Sequence, residues 1–397
     1  MRKIAATYIF PGNGKPVKNG ILVLEDDGTV IDLIEKADGF GDEAGVEFYS
    51  GILVPGFVNT HCHLELSHLH QKIDEKTGIG GFIGQINRLR NATENEIQQS
   101  MHTADKRMWA AGTVAVGDIS NTTLSLPVKL KSRIQYHTFV ETFGFQPSRA
   151  DRAFDIAETV KNEFSNQQLP ASIVPHSPYS VSEPLFRKIE TEARREKGIL
   201  SIHNQESEGE TQFYREATGP IADHLQHNLG LDISHWKART KSSLQSILDY
   251  LPSENCLLLV HNTFTSEEDV QTLLAGRKAE NTFLVLCPNS NLYIENALPP
   301  VEIFRKNELN ICFGTDSLAS NHQLSVLEEM ITIQENFPDI ALQELINWAC
   351  LNGARALQME DQLGSFERGK KPGVNLIATL DLKRLKLTSK SRVKKLV

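Results

Sequence analysis

The sequence predicts an α/β protein: a TIM-type (β/α)8 barrel carrying a small β domain built from both chain ends. Three observations predict it. Eight short β-rich runs alternate with polar segments of helical length. Further β-like runs, bounded by turns, lie at both ends of the chain. Six of the eight inner runs finish on polar residues that carry chemistry. Strand–helix alternation implies parallel strands. Eight such units fit a closed barrel, whose working residues gather at one mouth. A doubly wound open sheet is the alternative.

The first fifty residues read as short strands and turns. Segments 20–24 and 30–34 are β-like, with Asp26-Asp27-Gly28 as the turn between them. The inner runs are 53–58, 112–119, 134–140, 171–174, 198–202, 256–260, 282–286 and 310–313. Between them, 94–111 and 153–164 space their apolar residues as helices do. Residues 209–253 exceed a simple crossover and suggest lid or specificity elements. The stretch 364–373 is turn-rich, and 374–379 is again β-like. This tail is expected to pair with the N-terminal strands. Residues 1–53 plus 364–397 then form a sandwich-like domain, and 54–363 the barrel.

Composition narrows the function. At −9, the net charge offers no broad basic surface to nucleic acid. The one basic run, 383–395, reads as a solvated terminus. No stretch approaches the roughly 20 apolar residues of a membrane helix. Met1 to Pro11 lacks the apolar core of a signal peptide, so the cytoplasm is the expected location. Cys62, Cys256, Cys287, Cys312 and Cys350 form no Cys-X-X-Cys pair and read as reduced thiols. A homodimer is expected only because dimers are the commonest oligomers.

His61-Cys62-His63 directly follows the first inner run. In a strand, residues i and i+2 share a face, so two imidazoles reach one metal ion. Other runs end in His176-Ser-Pro, His203-Asn-Gln-Glu206, His261-Asn, Asn289-Ser-Asn291 and Gly-Thr-Asp316-Ser. Each has a plain structural reading. A strand-end histidine bonds a loop, and Asp316 caps a helix or closes an Asx turn. Glu206 is a solvated carboxylate, and Asn289 and Asn291 are loop residues. Their recurrence at six strand ends argues for one shared site.

The ordered set His-X-His, His-Asn-Gln-Glu, Leu-Val-His-Asn, Cys-Pro-Asn-Ser-Asn and Gly-Thr-Asp-Ser resembles the amidohydrolase superfamily. Within it the chain is similar to the deaminase/chlorohydrolase branch. The resemblance implies one divalent metal on His61, His63, His203 and Asp316. Zn²⁺ suits the nitrogen and oxygen donors, with Fe²⁺ the other candidate. His176 stands near the position where binuclear relatives carry a lysine, which implies a mononuclear site. The resemblance makes Glu206 the proton shuttle, with His261 and Asp316 orienting and deprotonating water.

The segment Leu64-Glu65-Leu-Ser67-His68, with 211–220 and 316–321, is similar to aminodeoxyfutalosine deaminases. It also resembles methylthioadenosine and adenosylhomocysteine deaminases. A small-molecule substrate of the 6-aminopurine nucleoside type is implied. Guanine, cytosine, an s-triazine, or a metal-free regulatory role are the alternatives. Candidate substrate contacts are Glu65, Glu141, Arg149 and His176. Arg149 suits a carboxylate held bidentately, or else is a solvated surface residue.

Overall fold

The computed structural model describes residues 1–35 and 45–397. Among the described residues, fifteen strands run in chain order. The first five are β1 (Arg2–Ile9), β2 (Val17–Lys18), β3 (Ile21–Leu24), β4 (Val30–Ile34) and β5 (Val46–Pro55). Then come β6 (Phe57–Cys62), β7 (Thr113–Ser120), β8 (Gln135–Thr142), β9 (Ala171–Pro175) and β10 (Leu200–Asn204). The last five are β11 (Leu257–His261), β12 (Thr282–Leu286), β13 (Asn310–Phe313), β14 (Val374–Ala378) and β15 (Arg392–Lys395).

The inner strands form two four-stranded parallel sheets, β6-β7-β8-β9 and β10-β11-β12-β13. The halves meet at both seams. Thr315 and Asp316 donate backbone N–H groups to His61 O (2.9 and 3.1 Å), and His203 N–H donates to His176 O (3.0 Å). Strand alternation splits the apolar residues. Leu257 and Leu259 pack with Leu185, Ile189 and Val270 of the outer helices. Leu258 and Val260 pack instead with Val58, Phe139 and Val174 of other inner strands. Helix Glu94–Ala110 starts at Thr93 with a capping box to Glu96, and helix Ala150–Asn166 brackets the other expected helical run.

Both chain ends share one seven-stranded sheet, in the order β15-β14-β5-β1-β3-β4 with β2 on β1. As expected, the tail pairs with the N-terminal strands: β14 lies antiparallel to β5, with Val374 opposite Pro55. Two expectations need correcting. The run 53–58 is not one strand but straddles β5 and β6. Gly56 stands at the break because a Cβ there would lie 2.3 Å from Val114 Cγ1 and 2.5 Å from Pro372 O. Hydropathy cannot see that break, since both flanking segments are buried. The basic tail is solvated at Lys383, Arg384, Lys390, Arg392 and Lys394, as expected, but not along its whole length. Residues 392–395 form β15, where Arg392 and Lys394 face outward and Lys395 Nζ sits 3.9 Å from the centre of the Trp109 ring.

All five cysteines are buried and unpaired. No helix among the described residues is long and apolar enough to cross a membrane.

Candidate active site

The strand ends bring four side chains to one point. His61 and His63 lie at the end of β6 and His203 near the end of β10, while Asp316 lies three residues past β13. His63 Nε2 is 3.1 Å from both His61 Nε2 and His203 Nε2. Asp316 Oδ1 is 3.5 Å from His63 Nε2 and 3.7 Å from His61 Nε2. Donors bound about 2.0–2.2 Å from one tetrahedral centre lie roughly 3.3–3.6 Å apart. The spacing and donor set fit one divalent cation.

Electrostatics agree. Burial pushes the His61 imidazole down to about 3 and holds His63 and His203 below their ordinary values. These rings are therefore neutral, with lone pairs available to a cation. Burial alone would raise the Asp316 carboxyl. The hydrogen bond with His61 and the surrounding imidazoles more than reverse that, leaving it well below the carboxylate range.

Neighbouring groups aim these ligands. His203 Nδ1 donates to His176 O (2.8 Å), which leaves Nε2 free. The hydroxyls of Ser290 and Ser320 both donate to Asp316 Oδ2, leaving Oδ1 for the cradle. Neither serine was a sequence candidate, because short hydroxyl residues in loops read as turn chemistry.

His261 ends β11 beside this cluster, with its ring 5.5 Å from that of His203. Strict alternation would place it with Leu257 and Leu259, against the outer helices. Its φ of +74° breaks the alternation and turns the ring inward. Asn291 Oδ1 accepts from His261 Nδ1 (2.9 Å), while Asn291 Nδ2 donates to Thr263 Oγ1 (2.8 Å). Asn291 is thus not the plain loop residue its surroundings in the sequence suggested. Glu206 Oε1 lies 3.6 Å from His261 Nε2, and burial pushes the Glu206 carboxyl up to about 8.

The other candidates divide. Glu141 is buried near the end of β8, 3.3 Å from His203 Nδ1, and accepts from Asn121 Nδ2 (3.1 Å). Glu65 accepts from Asn121 N–H and from Thr122 Oγ1, so the two glutamates share Asn121. Burial raises Glu65 to about 7. His176 lies 5.0 Å from His203 ring to ring, bonds Ser180 Oγ through Nδ1, and is held down to about 4 by burial. Arg149, by contrast, is exposed beyond β8, and the structure does not bring it into the cluster. Glu141, His176 and His203 also converge as a second triangle of possible ligands. His203 Nδ1 already gives its hydrogen to His176 O, so this triangle lacks a donor for a second ion.

The amidohydrolase family model matches residues 52–396, which spans both inner sheets and every residue of the cradle. The chain belongs to the amidohydrolase family. It is accordingly a hydrolase of carbon–nitrogen bonds. This amidohydrolase is 27% identical over 389 residues to an adenosine deaminase of Helicobacter pylori, covering 94% of this chain and 91% of the relative. It is 26% identical to an aminodeoxyfutalosine deaminase of a Nitratiruptor species, covering 87% and 84%. Among solved structures, Helicobacter pylori aminofutalosine deaminase in complex with methylthio-coformycin superposes at a TM-score of 0.82, with 22% identity and full coverage of both chains. An adenosine deaminase from Xanthomonas campestris with bound zinc gives 0.72, with 20% identity and coverage of 96% and 85%. These two similarities support the amidohydrolase fold.

Proposed function

We propose that this amidohydrolase is a metal-dependent aminohydrolase that deaminates a 6-aminopurine nucleoside. Aminodeoxyfutalosine, methylthioadenosine and adenosylhomocysteine are the first candidate substrates. The two inner sheets are read as one closed (β/α)8 barrel, because both seams carry backbone hydrogen bonds. Residues 1–53 plus 364–397 are read as a separate scaffold domain, and 209–253 as the elements that cover the mouth.

The observation that carries the reading is the Glu206–His261 pair beside a four-donor cradle. His61, His63, His203 and Asp316 would hold one divalent ion, with zinc favoured by the nitrogen and oxygen donors and iron(II) the other candidate. Such an ion makes water acidic enough to attack at neutral pH. The residues supply the rest. His261 Nε2, free because Nδ1 is bonded to Asn291, takes the first proton of the attacking water. Asp316 orients that water. Glu206 enters protonated and gives its proton to the ring nitrogen beside the amino-bearing carbon. The new C–O bond leaves a carbon bearing hydroxyl and amino groups. Glu206, now a carboxylate, takes the hydroxyl proton and passes it to the amino nitrogen. The C–N bond breaks, ammonia leaves and a carbonyl remains. The proton held on His261 returns to Glu206 across their 3.6 Å separation, restoring both groups. His176, kept neutral by burial, and the Glu65–Asn121–Glu141 group would contact the nucleoside.

Ammonia release from Zn²⁺- or Fe²⁺-loaded protein tests this. The panel is adenosine, methylthioadenosine, adenosylhomocysteine, aminodeoxyfutalosine, guanine and cytosine. Turnover of a 6-aminopurine nucleoside is the expected result. Silence on every purine nucleoside with metal bound overturns the substrate class, and absence of bound metal overturns the mechanism.

A further inference from the structure

Between His203 and Glu206 the chain turns sharply, and Gln205 makes the turn. Its φ is +46°, in the left-handed region that side-chain-bearing residues enter at a cost in free energy. It is also buried, at 3% exposure. A strained, buried glutamine persists only where its surroundings hold it, and here all its polar groups are engaged. Gln205 N–H donates to Glu210 Oε1 (3.1 Å), and its carbonyl accepts from Phe264 N–H (3.0 Å). Side-chain Oε1 accepts from Thr265 Oγ1 (2.7 Å), and Nε2 donates to Asp269 Oδ2 (2.9 Å).

The partners are informative. Thr265 and Asp269 lie four and eight residues past His261, the last residue of β11. Asp269 caps helix Glu267–Gly276, accepting from Ser266 N–H (3.0 Å) and Ser266 Oγ (2.7 Å). The turn after β11 is left-handed as well, with φ of +74° at His261 and +56° at Asn262. The two turns are joined again by Asn262 N–H to Asn204 O (3.0 Å) and Asn204 Nδ2 to Asn262 Oδ1 (3.0 Å). One turn carries Glu206 and the other His261.

We infer that Gln205 is a positioning residue. It locks the turn bearing Glu206 to the turn bearing His261 and so sets the separation between the two proton-carrying groups. Gln205 is buried behind the site and acts through Glu206. This rests on the roles proposed above for Glu206 and His261. A displacement of about 1 Å in a reacting group costs on the order of 10²-fold in rate, so the tie is expected to act on turnover rather than on substrate affinity.

The test compares wild type with Gln205→Gly, which accepts the left-handed backbone but deletes both side-chain ties. The expected result is a kcat lower by on the order of 10²-fold, with KM within about threefold and one metal ion still bound per chain. An unchanged kcat with only a lower melting temperature overturns the inference and makes Gln205 a structural residue. Should that variant not fold, Thr265→Val removes a single hydroxyl and is read the same way, with a smaller expected loss of about tenfold. If wild type proves to be no aminohydrolase, the proposed function fails separately. Crystal structures then decide the positioning role. Glu206 Oε1 still within 4 Å of His261 Nε2 in Gln205→Gly overturns it, and a displaced carboxylate supports it.

Discussion

Lys129 Nζ lies 2.7 Å from Asp118 Oδ2, and both side chains are fully shielded from solvent. Ser120 Oγ and Thr138 Oγ1 also accept from the ammonium, at 3.1 and 3.0 Å. The other carboxylate oxygen, Asp118 Oδ1, accepts from Leu64 N–H (2.8 Å), the residue directly after His63. A buried ion pair thus anchors the chain where it leaves the His61–His63 pair.

Removing one partner strands a buried charge, which typically costs about 3–5 kcal/mol. Lys129→Met is expected to destabilise by that amount in denaturant melts. Lys129→Met with Asp118→Leu should recover part of the loss, because no unpaired carboxylate remains. A single variant as stable as wild type would show that the pair contributes nothing.

Glu206→Gln keeps the shape of the shuttle but cannot exchange a proton. Turnover is expected to fall by about 10²–10⁴-fold, with one metal ion per chain retained. Steady-state kinetics with metal analysis on the same sample checks this, and near-normal turnover removes Glu206 from the proposed chemistry.

His137 gives a pH signature away from the site. It bonds Ser172 Oγ (2.9 Å), and burial first, then the Lys129 charge, hold its imidazole down to about 4. In the unfolded chain it titrates near 6.5, so the unfolded state takes up the proton first. The stability this group contributes is complete above about pH 6.5 and declines as pH falls toward 4, by up to roughly 1.4 kcal/mol per unit. His137→Gln keeps a hydrogen-bonding partner and abolishes the titration. Its stability should fall less steeply than that of wild type between about pH 6.5 and 4.5. Parallel curves would show that His137 charges without penalty.

Gly314 leaves no room behind the cradle. A Cβ there would stand 2.7 Å from His61 Cβ and 2.9 Å from Cys287 Sγ. Gly314→Ala must therefore push His61 out of line. Disturbing the support of a ligand typically costs about 10–100-fold in metal affinity, measurable by competition with a chelator. The gain in melting temperature on adding metal should shrink accordingly, and an unaltered gain would mean the cradle absorbs the methyl group.

Much of this was legible in the sequence, for a definite reason. Apolar runs that stop on His, Glu or Asp mark strand ends, so His61, His63, His203, Glu206, His261 and Asp316 stood out. The same signal misplaced boundaries. β8 extends to Thr142 and β10 to Asn204, because polar strand ends look like loops to any reading by hydropathy. Supporting groups stayed invisible. Ser290 and Asn121 are short polar residues whose side-chain partners lie 20 or more positions away, Ser320 sits in a loop where a hydroxyl reads as turn chemistry, and Lys129 lies two residues beyond Pro127 among apolar neighbours. Arg149 shows the converse: its chemistry suited a carboxylate, yet its place on an exposed turn separates it from the cluster.

The sheet shared by the two chain ends has a consequence for synthesis in the cell. β5 runs straight into the strand that bears His61, and its outer neighbour, β14, begins only at Val374. At about 5–20 residues per second, the intervening stretch occupies a ribosome for on the order of 15–60 s. Throughout that interval β5 offers an open edge next to the histidine pair, and open edges recruit other chains. A stop codon before β14 would make that edge permanent. Nascent chains of this protein are therefore expected to need shelter from one another until β14 has been made.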